Sequence, residues 1–221
     1  MNYTLMTPGP VPVPDEVLKI LAMPMEHHRT KKKKKVFQRV LINLKSVFKT
    51  KQPVLILTST GSGAMEASVV NLLSPKDKVI CLISGKFGER WAEMCETFGA
   101  EVIRMHIPWG NSAEVSEVDH LLQAHPDAKA LFCQACETST AALHPIKEIA
   151  QLTRNTSTLF VVDAITAMGA IELPMDEWGI DAIVAGSQKA FMLPTGLSFL
   201  ALSERAWTAA QTAKMPRYYF D

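Results

Sequence analysis

Residues 54–83 read VLILTSTGSGAMEASVVNLLSPKDKVICLI, and the class of fold can be inferred from this stretch. Residues 54–58 are a short apolar run with β-branched residues, which is typical of a buried strand. Apolar residues then recur at helical spacing over 61–73, and Ser74-Pro75 ends this helix. The apolar run 79–83 predicts a second strand, so the stretch is expected to form a strand, a helix and a strand.

The same alternation continues through most of the chain. Further helices are predicted at 89–98, 115–124, 146–153 and from Glu204 onward. Further strands are predicted at 101–105, 129–133, 158–162, 182–185 and 197–202. Alternating strands and helices are typical of an α/β fold, in which helices cover both faces of one mostly parallel sheet. Ligands of such sheets bind at the carboxyl ends of the strands, so the residues that follow each strand are the candidates for function.

Length and composition restrict the classes of protein that fit. The 221 residues are 48% hydrophobic and 20% charged, which argues against disordered and collagen-like chains and favours a globular core. The net charge of +1 provides no field that would attract nucleic acid or an anionic membrane. Prolines interrupt the N-terminal sequence MNYTLMTPGPVPVP, and the longest apolar run, 159–171, is too short to span a bilayer. We therefore expect a soluble cytoplasmic protein with neither nucleic-acid nor membrane partners.

The four cysteines do not form a recognisable metal or redox site. Only Cys133 and Cys136 make a C-x-x-C pair, and a zinc site would need a second pair or two spaced histidines. The pair lies at the end of the apolar run 130–133, and free cysteine in such a setting behaves as a small hydrophobic residue. We expect structural thiols and no metal.

Five consecutive lysines, 31–35, precede an amphipathic helix predicted over 36–48. Cations near a helix N-terminus oppose the helix dipole, so either the helix starts after the lysines or the run stays solvated. A patch that binds phosphate or nucleic acid is the alternative. The lysines are not interleaved with aromatic residues, which favours the solvated run.

Two glycine-containing loops follow predicted strands. The sequence STGSG at 59–63 leads directly into a helix, where free backbone N–H groups favour an anion, most naturally a phosphate. It matches neither a P-loop nor a dinucleotide fingerprint, and a plain helix N-cap is the alternative. The sequence GKFG at 85–88 presents Phe87, which could stack on a flat ligand. A KH-type backbone clamp and an ordinary turn with a core phenylalanine remain open at this position.

Two charged residues follow other apolar strands. Asp163 needs a cationic or hydrogen-bonding partner if it is buried, because burying an unpaired carboxylate is costly. Lys189 follows the strand 182–185, and desolvation of its amine would suit it to Schiff-base chemistry. A structural ion pair and a lysine whose charged end reaches solvent are the respective alternatives. Together with the two loops, these residues supply the anion site, ring face, acid and amine that pyridoxal phosphate requires.

Several motifs resemble those of the class V aminotransferases. They are Thr7-Pro-Gly-Pro10, Thr60-Gly-Ser62 with Ala64-Met-Glu-Ala67, Glu137-Thr-Ser-Thr140, Val162-Asp163 and Gly186-Ser-Gln-Lys-Ala190. The resemblance covers essentially the whole chain and is strongest to the alanine–glyoxylate and serine–glyoxylate group, some members of which are named soluble hydrogenase small subunit. It implies the large domain of a fold type I pyridoxal-phosphate enzyme, which is a homodimer in the full-length family.

The resemblance also implies roles for individual residues. Lys189 would hold pyridoxal 5′-phosphate as a Schiff base and later move the α-proton of the substrate, while Asp163 would pair with the pyridine nitrogen. The other implied contacts are the phosphate with Thr60, Gly61 and Ser62 beside Gln188, the ring faces with Phe87 and Ile165, and the ring O3′ with Thr138. The implied reaction transfers an amino group from a small amino acid, alanine or serine, to the 2-oxo acid glyoxylate.

Three departures from the family pattern are visible. Ala141 replaces the glycine that usually follows E-T-S-T, and the run 31–35 replaces a less charged stretch. The chain ends at Asp221, so the small C-terminal domain with its substrate-binding arginine, and the segment that reaches a partner's phosphate site, are expected to be absent from it. Residues 1–221 would then be an incomplete cofactor-binding large domain, with an N-terminal arm over about residues 1–30.

Two other functions fit the same residues. A related class V lyase such as a cysteine desulfurase typically stacks a histidine on the ring, where this chain has Phe87. A truncated, catalytically inactive fragment is the second alternative. The absence of the expected arginine favours this fragment, whereas the presence of Asp163 and Lys189 favours an enzyme.

Overall fold

The computed structural model describes residues 4–221. Within them, eight helices and nine strands follow one another along the chain. In order they are α1 (Asp15–Leu21), α2 (Lys31–Phe48), β1 (Val54–Leu57), α3 (Gly61–Leu72), β2 (Lys78–Ile83), α4 (Lys86–Thr97), β3 (Glu101–His106), α5 (Val115–Ala124), β4 (Ala130–Gln134), β5 (Cys136–Glu137), β6 (Ala142–Leu143), α6 (Ile146–Thr153), β7 (Leu159–Asp163), α7 (Met175–Trp178), β8 (Ala182–Gly186), β9 (Ser198–Leu202) and α8 (Glu204–Ala210). Every helix and strand predicted from residue 54 onward is present, whereas α1, α7 and the β5–β6 hairpin have no counterpart in the prediction.

Seven strands form one sheet in the order β1-β9-β8-β7-β4-β2-β3. Strands β3, β2, β4, β7 and β8 are parallel to one another, whereas β9 runs antiparallel to both β8 and β1. Because β9 is reversed relative to both neighbours, β1 points in the same direction as the five parallel strands. The predicted α/β fold with a mostly parallel sheet is confirmed, and the sheet of the described residues is mixed only through β9.

Two apolar cores lie on opposite faces of this sheet, because successive residues of a strand point to opposite sides. Leu131 belongs to the core covered by α2, α5 and α6, and Phe132 belongs to the core covered by α3, α4 and α8. Trp91 of α4 is fully buried, and its ring centre lies 5.0 Å from that of Phe132. Burying a side chain such as Phe132 contributes roughly 1.5–3 kcal/mol. The prediction of helices on both faces is confirmed.

The cysteines contribute to these cores as free thiols. Cys81, Cys95 and Cys133 are buried and Cys136 is half-buried. Burial raises the pKa of the Cys133 thiol, which keeps it protonated and unreactive. Structural thiols are therefore confirmed at the three buried positions. Within residues 4–221, no group of three or more His, Cys, Asp or Glu side chains is arranged to hold a metal ion.

The lysine run begins a helix, contrary to one prediction. Helix α2 starts at Lys31 rather than after the run. The Thr30 hydroxyl accepts a hydrogen bond from the backbone N–H of Lys33 at 3.2 Å, and Glu26 forms an ion pair with Lys32 at 2.7 Å. The cap and the carboxylate offset the unfavourable interaction of the lysines with the helix dipole. The lysine side chains remain largely exposed, as the solvated-run interpretation predicts.

The predicted N-terminal arm begins with residues 1–3, which lie outside the described part of the chain. From residue 4 the arm leads through a bend at residues 7–10 into α1. The backbone N–H of Val11 donates to the carbonyl oxygen of Gln188 at 3.2 Å, so the arm crosses the loop after β8. None of the helices found in residues 4–221 is both long and apolar enough to cross a membrane.

Candidate functional site

Five strands deliver the candidate residues to one edge of the sheet. Because β1, β2, β4, β7 and β8 point in the same direction, the loops that follow them meet at a shared carboxyl edge. The predicted site residues lie at the strand ends, in these loops or in the first helical turns after them. They are Thr60, Gly61, Ser62, Phe87, Thr138, Asp163, Ile165, Gln188 and Lys189.

The N-terminus of α3 occupies the position predicted for an anion. Thr60 is the N-cap residue, and its side chain makes no capping hydrogen bond. Gly61 packs so closely on Ile165 that a Cβ there would collide with the Cδ1 atom of Ile165. The Ser62 hydroxyl oxygen accepts a hydrogen bond from Nη1 of Arg90 at 3.1 Å. The dipole of this helix, the free Thr60 hydroxyl and the nearby guanidinium all favour a negatively charged group such as a phosphate.

Helix α4 begins within the GKFG sequence, at Lys86, so Phe87 belongs to its first turn. The ordinary turn with a core phenylalanine is therefore wrong, because Phe87 is helical and half-buried at the sheet edge. Gly88 lets the helix approach β2, since a Cβ there would lie 2.6 Å from the carbonyl oxygen of Leu82. Close packing of α4 on β2 is therefore sufficient to explain the second glycine of GKFG, and a nucleic-acid clamp is not needed to explain it. The guanidinium carbon of Arg90 lies 4.8 Å from the centre of the Phe87 ring, a cation–π contact.

Asp163 ends β7, and only 5% of the residue is exposed. Its Oδ1 accepts a hydrogen bond from the backbone N–H of Ile165 at 2.8 Å, whereas Oδ2 has no hydrogen-bond partner among residues 4–221. Burial raises the pKa of this carboxyl group from 3.8 to about 7. The Ile165 N–H and the charges of Arg90 and Lys189 act to lower the pKa, and the charge of Glu137 acts to raise it. A cationic donor placed at Oδ2 would keep the carboxylate ionised.

Lys189 lies in the loop after β8 and is half-buried. Burial lowers the pKa of its amine, and the charge of Asp163 acts in the opposite direction. The two groups therefore lie within electrostatic reach of each other. They form no ion pair within residues 4–221, so the structural ion pair considered for Asp163 is not formed there.

The N-terminal arm covers Lys189. Gly9 packs directly on this side chain, because a Cβ at Gly9 would collide with Cδ of Lys189 and lie 3.0 Å from its Nζ. Beside it, the side-chain oxygen of Gln188 is buried and has no hydrogen-bond partner in the described part of the chain. A Cβ built on Gly186 would lie 3.4 Å from that oxygen. A buried acceptor without a partner is uncommon in folded proteins and indicates a bound group or a water at this point.

Arg90 was not singled out by the sequence, and Glu137 and Gly9 were quoted only within family motifs, without a role of their own. Arg90 follows Phe87 by three positions on one helix, so helical spacing was the signal that could have identified it. Glu137 is a buried carboxylate after β4, which is the same signal that identified Asp163. The contact of Gly9 has no local signal, since it joins the N-terminal arm to a loop far along the chain.

A comparison with protein families identifies the chain. The family model described as aminotransferase class-V matches residues 16–216. The chain belongs to the class V aminotransferase family. A soluble hydrogenase small subunit from Synechococcus sp. is 38% identical over 220 residues, which cover 98% of this chain and 57% of that protein. A serine–glyoxylate aminotransferase from Hyphomicrobium methylovorum is 34% identical over 224 residues, which cover 98% of this chain and 55% of that protein.

Solved structures of aminotransferases have the same fold. An alanine–glyoxylate aminotransferase from Nostoc sp. superposes with a TM-score of 0.92 at 30% identity, over 97% of this chain and 58% of that one. An aspartate aminotransferase from Thermus thermophilus gives 0.91 at 36% identity, over 99% and 61%. A cysteine desulfurase from Thermococcus onnurineus shares the fold at a TM-score of 0.71 and 15% identity. The chain thus spans between half and about three fifths of the length of these proteins.

The β5–β6 hairpin contains one departure from the class V pattern. Ala141 has a φ of 60°, in the left-handed region that glycine adopts without steric cost. This conformation gives a physical reason for the glycine expected at this position. In the same loop, the hydroxyl oxygen of Thr138 lies 3.0 Å from that of Thr166, so the hydroxyl is held at the carboxyl edge.

Proposed function

We propose that this chain carries the cofactor site of a pyridoxal-phosphate-dependent aminotransferase, which transfers an amino group from alanine or serine to glyoxylate through Lys189. The observation that carries the proposal is that the buried Asp163 ends β7 and Lys189 follows the adjacent parallel strand β8, so that both lie at one carboxyl edge. Relatives named serine–glyoxylate and alanine–glyoxylate aminotransferase support the class of substrates.

The residues at this edge fit pyridoxal 5′-phosphate. Oδ2 of Asp163 is an acceptor without a partner among the described residues, and a protonated pyridine nitrogen would satisfy it. Thr60 and Ser62 at the N-terminus of α3 suit the phosphate group. Phe87 offers an aromatic face for the ring, and the buried oxygen of Gln188 offers a further acceptor beside Lys189.

Each residue has a definite task in the proposed reaction. When bound, pyridoxal phosphate supplies an electron sink for the negative charge that develops at the substrate Cα. Asp163 holds a proton on the pyridine nitrogen, because its carboxylate accepts a hydrogen bond from that N–H. Lys189 would hold the cofactor through Nζ and, as a neutral amine, would take the proton from the substrate Cα. Burial, which lowers the pKa of Lys189, increases the fraction of that neutral form.

The other contacts orient the reactants and exclude water. Phe87 and Ile165 would cover the two faces of the ring, while the Thr138 hydroxyl would donate to O3′. Gly61 allows α3 and Ile165 to approach closely, which keeps the phosphate site next to the ring site. Because these contacts would exclude water, the interaction of Asp163 with the ring nitrogen would be stronger than in solvent.

Spectroscopy with added pyridoxal phosphate tests the proposal. The wild type should develop a visible-to-near-ultraviolet absorbance band, and borohydride reduction should attach the cofactor to Lys189, as identified by peptide mass spectrometry. Lys189→Ala should abolish both signals. Lys86→Ala is the matched control, because Lys86 is exposed and pairs with Glu89, and it should keep them. Absence of the band in the wild type would favour the non-catalytic fragment instead.

Half-reactions separate the proposed enzyme from a lyase. Loss of the band with alanine or serine, and its return with glyoxylate, is expected of the aminotransferase. Release of sulfide from cysteine would instead support the cysteine desulfurase alternative. If the cofactor binds but the half-reactions fail, they should be repeated on the chain fused to the C-terminal part of a relative that this chain does not cover.

We extend the proposal to a cytoplasmic homodimer. The exposed apolar side chains of α2, which include Phe37 at 54% and Ile42 at 65% exposure, support association with a second copy. Sedimentation velocity on the wild type and on Phe37→Asp measures this directly. A wild type that remains monomeric at all concentrations would contradict the dimer, and imaging of a tagged chain in cells tests the location.

A further inference from the structure

Glu137 is a buried carboxylate with four hydrogen bonds. The residue has no solvent-exposed surface. Its Oε2 accepts from the backbone N–H groups of Phe87 and Gly88, both at 3.0 Å. Its Oε1 accepts from the backbone N–H of Ser139 at 3.1 Å and from the Ser139 hydroxyl at 2.6 Å. Each oxygen of the carboxylate therefore accepts two hydrogen bonds from groups of this chain, and two of the four donors belong to α4.

These hydrogen bonds cap the N-terminus of α4, although Glu137 belongs to strand β5. The N-cap residue, Gly85, has no side chain to accept from the first turn. Glu137 takes that place, and Ser139 completes the cap because its hydroxyl oxygen accepts from the backbone N–H of Lys86 at 3.0 Å. Gly85 has no space for a side chain of its own, since a Cβ there would lie 2.6 Å from Cγ of Glu137. The negative charge also interacts favourably with the N-terminal end of the helix dipole.

The capped turn carries the residues that line the proposed cofactor site. Phe87 donates its own backbone N–H to Glu137, so the position of the ring depends directly on that hydrogen bond. One helical turn later, Arg90 lies over the Phe87 ring and donates to the Ser62 hydroxyl oxygen. A displacement of the first turn of α4 would therefore move both the stacking ring and the cation beside the anion site.

We propose that Glu137 is a positioning residue, which holds Phe87 against the face of the cofactor ring by capping α4. This inference rests on the proposed function, because it assumes that a ring binds beside Phe87. A cap that served only the stability of α4 would not influence the affinity for a cofactor. The two roles differ in whether the effect of Glu137 depends on the presence of the Phe87 ring.

A double-mutant cycle measures that dependence. The dissociation constant of pyridoxal phosphate is determined by absorbance titration for the wild type, Glu137→Gln, Phe87→Ala and the double variant. Glu137→Gln replaces one acceptor oxygen by an amide group that donates, and loss of a charged hydrogen bond corresponds to about a tenfold or larger weakening of binding. In the Phe87→Ala background the same change should weaken binding by clearly less, because the ring that Glu137 positions is gone.

Two further variants separate positioning from stability. Ser203→Ala removes the side-chain cap of α8 at the opposite edge of the sheet and should lower the urea midpoint with unchanged cofactor affinity. Ser139→Ala removes the cap bond to Lys86 and the hydroxyl donor to Glu137, and it should weaken cofactor binding in the same direction as Glu137→Gln, by a smaller factor. Ser139→Ala also serves if Glu137→Gln does not fold. The circular dichroism of the bound-cofactor band should change in Glu137→Gln and Ser139→Ala and stay unchanged in Ser203→Ala.

The outcomes are distinguishable. Equal affinity of the wild type and Glu137→Gln, or equal losses in the presence and absence of the Phe87 ring, would overturn the positioning role while the proposed function stands. An unchanged affinity and dichroism in Ser139→Ala would likewise contradict it if that variant alone folds. If the wild type does not bind pyridoxal phosphate, the proposed function fails and the inference fails with it.

Discussion

Asp163→Asn is expected to affect the cofactor-free protein and the cofactor-bound protein in opposite ways. Burial raises the pKa of Asp163 from 3.8 to about 7, so the folded chain holds a proton that the unfolded chain has released. The stability that this group contributes is fully present below pH 3.8 and is lost as the pH rises through about 7. The complete loss corresponds to about 4 kcal/mol of unfolding free energy.

Most of that loss falls in an accessible range of pH. Between pH 5 and pH 8 the wild type should lose about 2–3 kcal/mol through Asp163, and the asparagine variant should not lose it. At pH 8 without cofactor, the variant should therefore be the more stable protein. Its affinity for pyridoxal phosphate should fall at least tenfold, because the neutral amide no longer interacts with a protonated ring nitrogen.

Urea unfolding at several pH values, with and without pyridoxal phosphate, measures both effects. Asp181→Asn is the control, since Asp181 is also buried but accepts from the backbone N–H of Phe160 at 2.9 Å and from the Ser203 hydroxyl at 2.7 Å. This control should keep its cofactor affinity. The reasoning is refuted if Asp163→Asn has the same pH dependence of stability as the wild type, or the same affinity for pyridoxal phosphate.

Three other changes have expected outcomes. Gly9→Ala should displace the Lys189 side chain and weaken cofactor binding, as measured by absorbance titration; unchanged binding would contradict the packing of the arm. Ala141→Gly should stabilise the protein by about 1 kcal/mol in urea, because glycine relieves the left-handed conformation, and a destabilised variant would contradict this. Thr30→Ala should lower the unfolding free energy by about 1 kcal/mol and leave cofactor affinity unchanged. An unchanged midpoint of urea unfolding would mean that the cap of α2 does not stabilise the protein.

The sheet could be predicted from the sequence because its strands are buried on both faces. Runs such as 79–83 and 159–162 have no polar residue, which is the pattern that burial on both sides requires. The reversed direction of β9 is harder to predict from the sequence. Its only local signal is that residues 187–197, which join β8 to β9, contain no helix to serve as a parallel crossover.

The errors at helix ends have a common physical origin. The sequence predicts this helix from Glu89, whereas α4 starts at Lys86, and its cap comes from Glu137, which is 50 positions beyond Phe87. For α2 the local signal was present in Thr30, and the dipole argument was given more weight than the cap and the Glu26 carboxylate justify. Charged runs tolerate an unfavourable dipole when a cap and a counter-charge are near.

The site residues at strand ends were predictable, because parallel strands bring their carboxyl ends to one edge. The sequence thereby selected Asp163 and Lys189 from among many acids and lysines. It could not show that Gly9 covers Lys189 or that Arg90 joins Phe87 to Ser62, since these contacts depend on the packing of separate elements.

The edge position of β1 affects how the protein is synthesised. Within the described sheet, its one neighbour is β9, so residues 54–57 have no strand to pair with until residues 198–202 leave the ribosome. Contacts between such distant segments form slowly, because a long loop of chain has to close first. The anion site at α3 follows β1 directly and cannot be docked before that closure. We therefore expect a nascent chain to acquire affinity for the cofactor only after β9 has emerged.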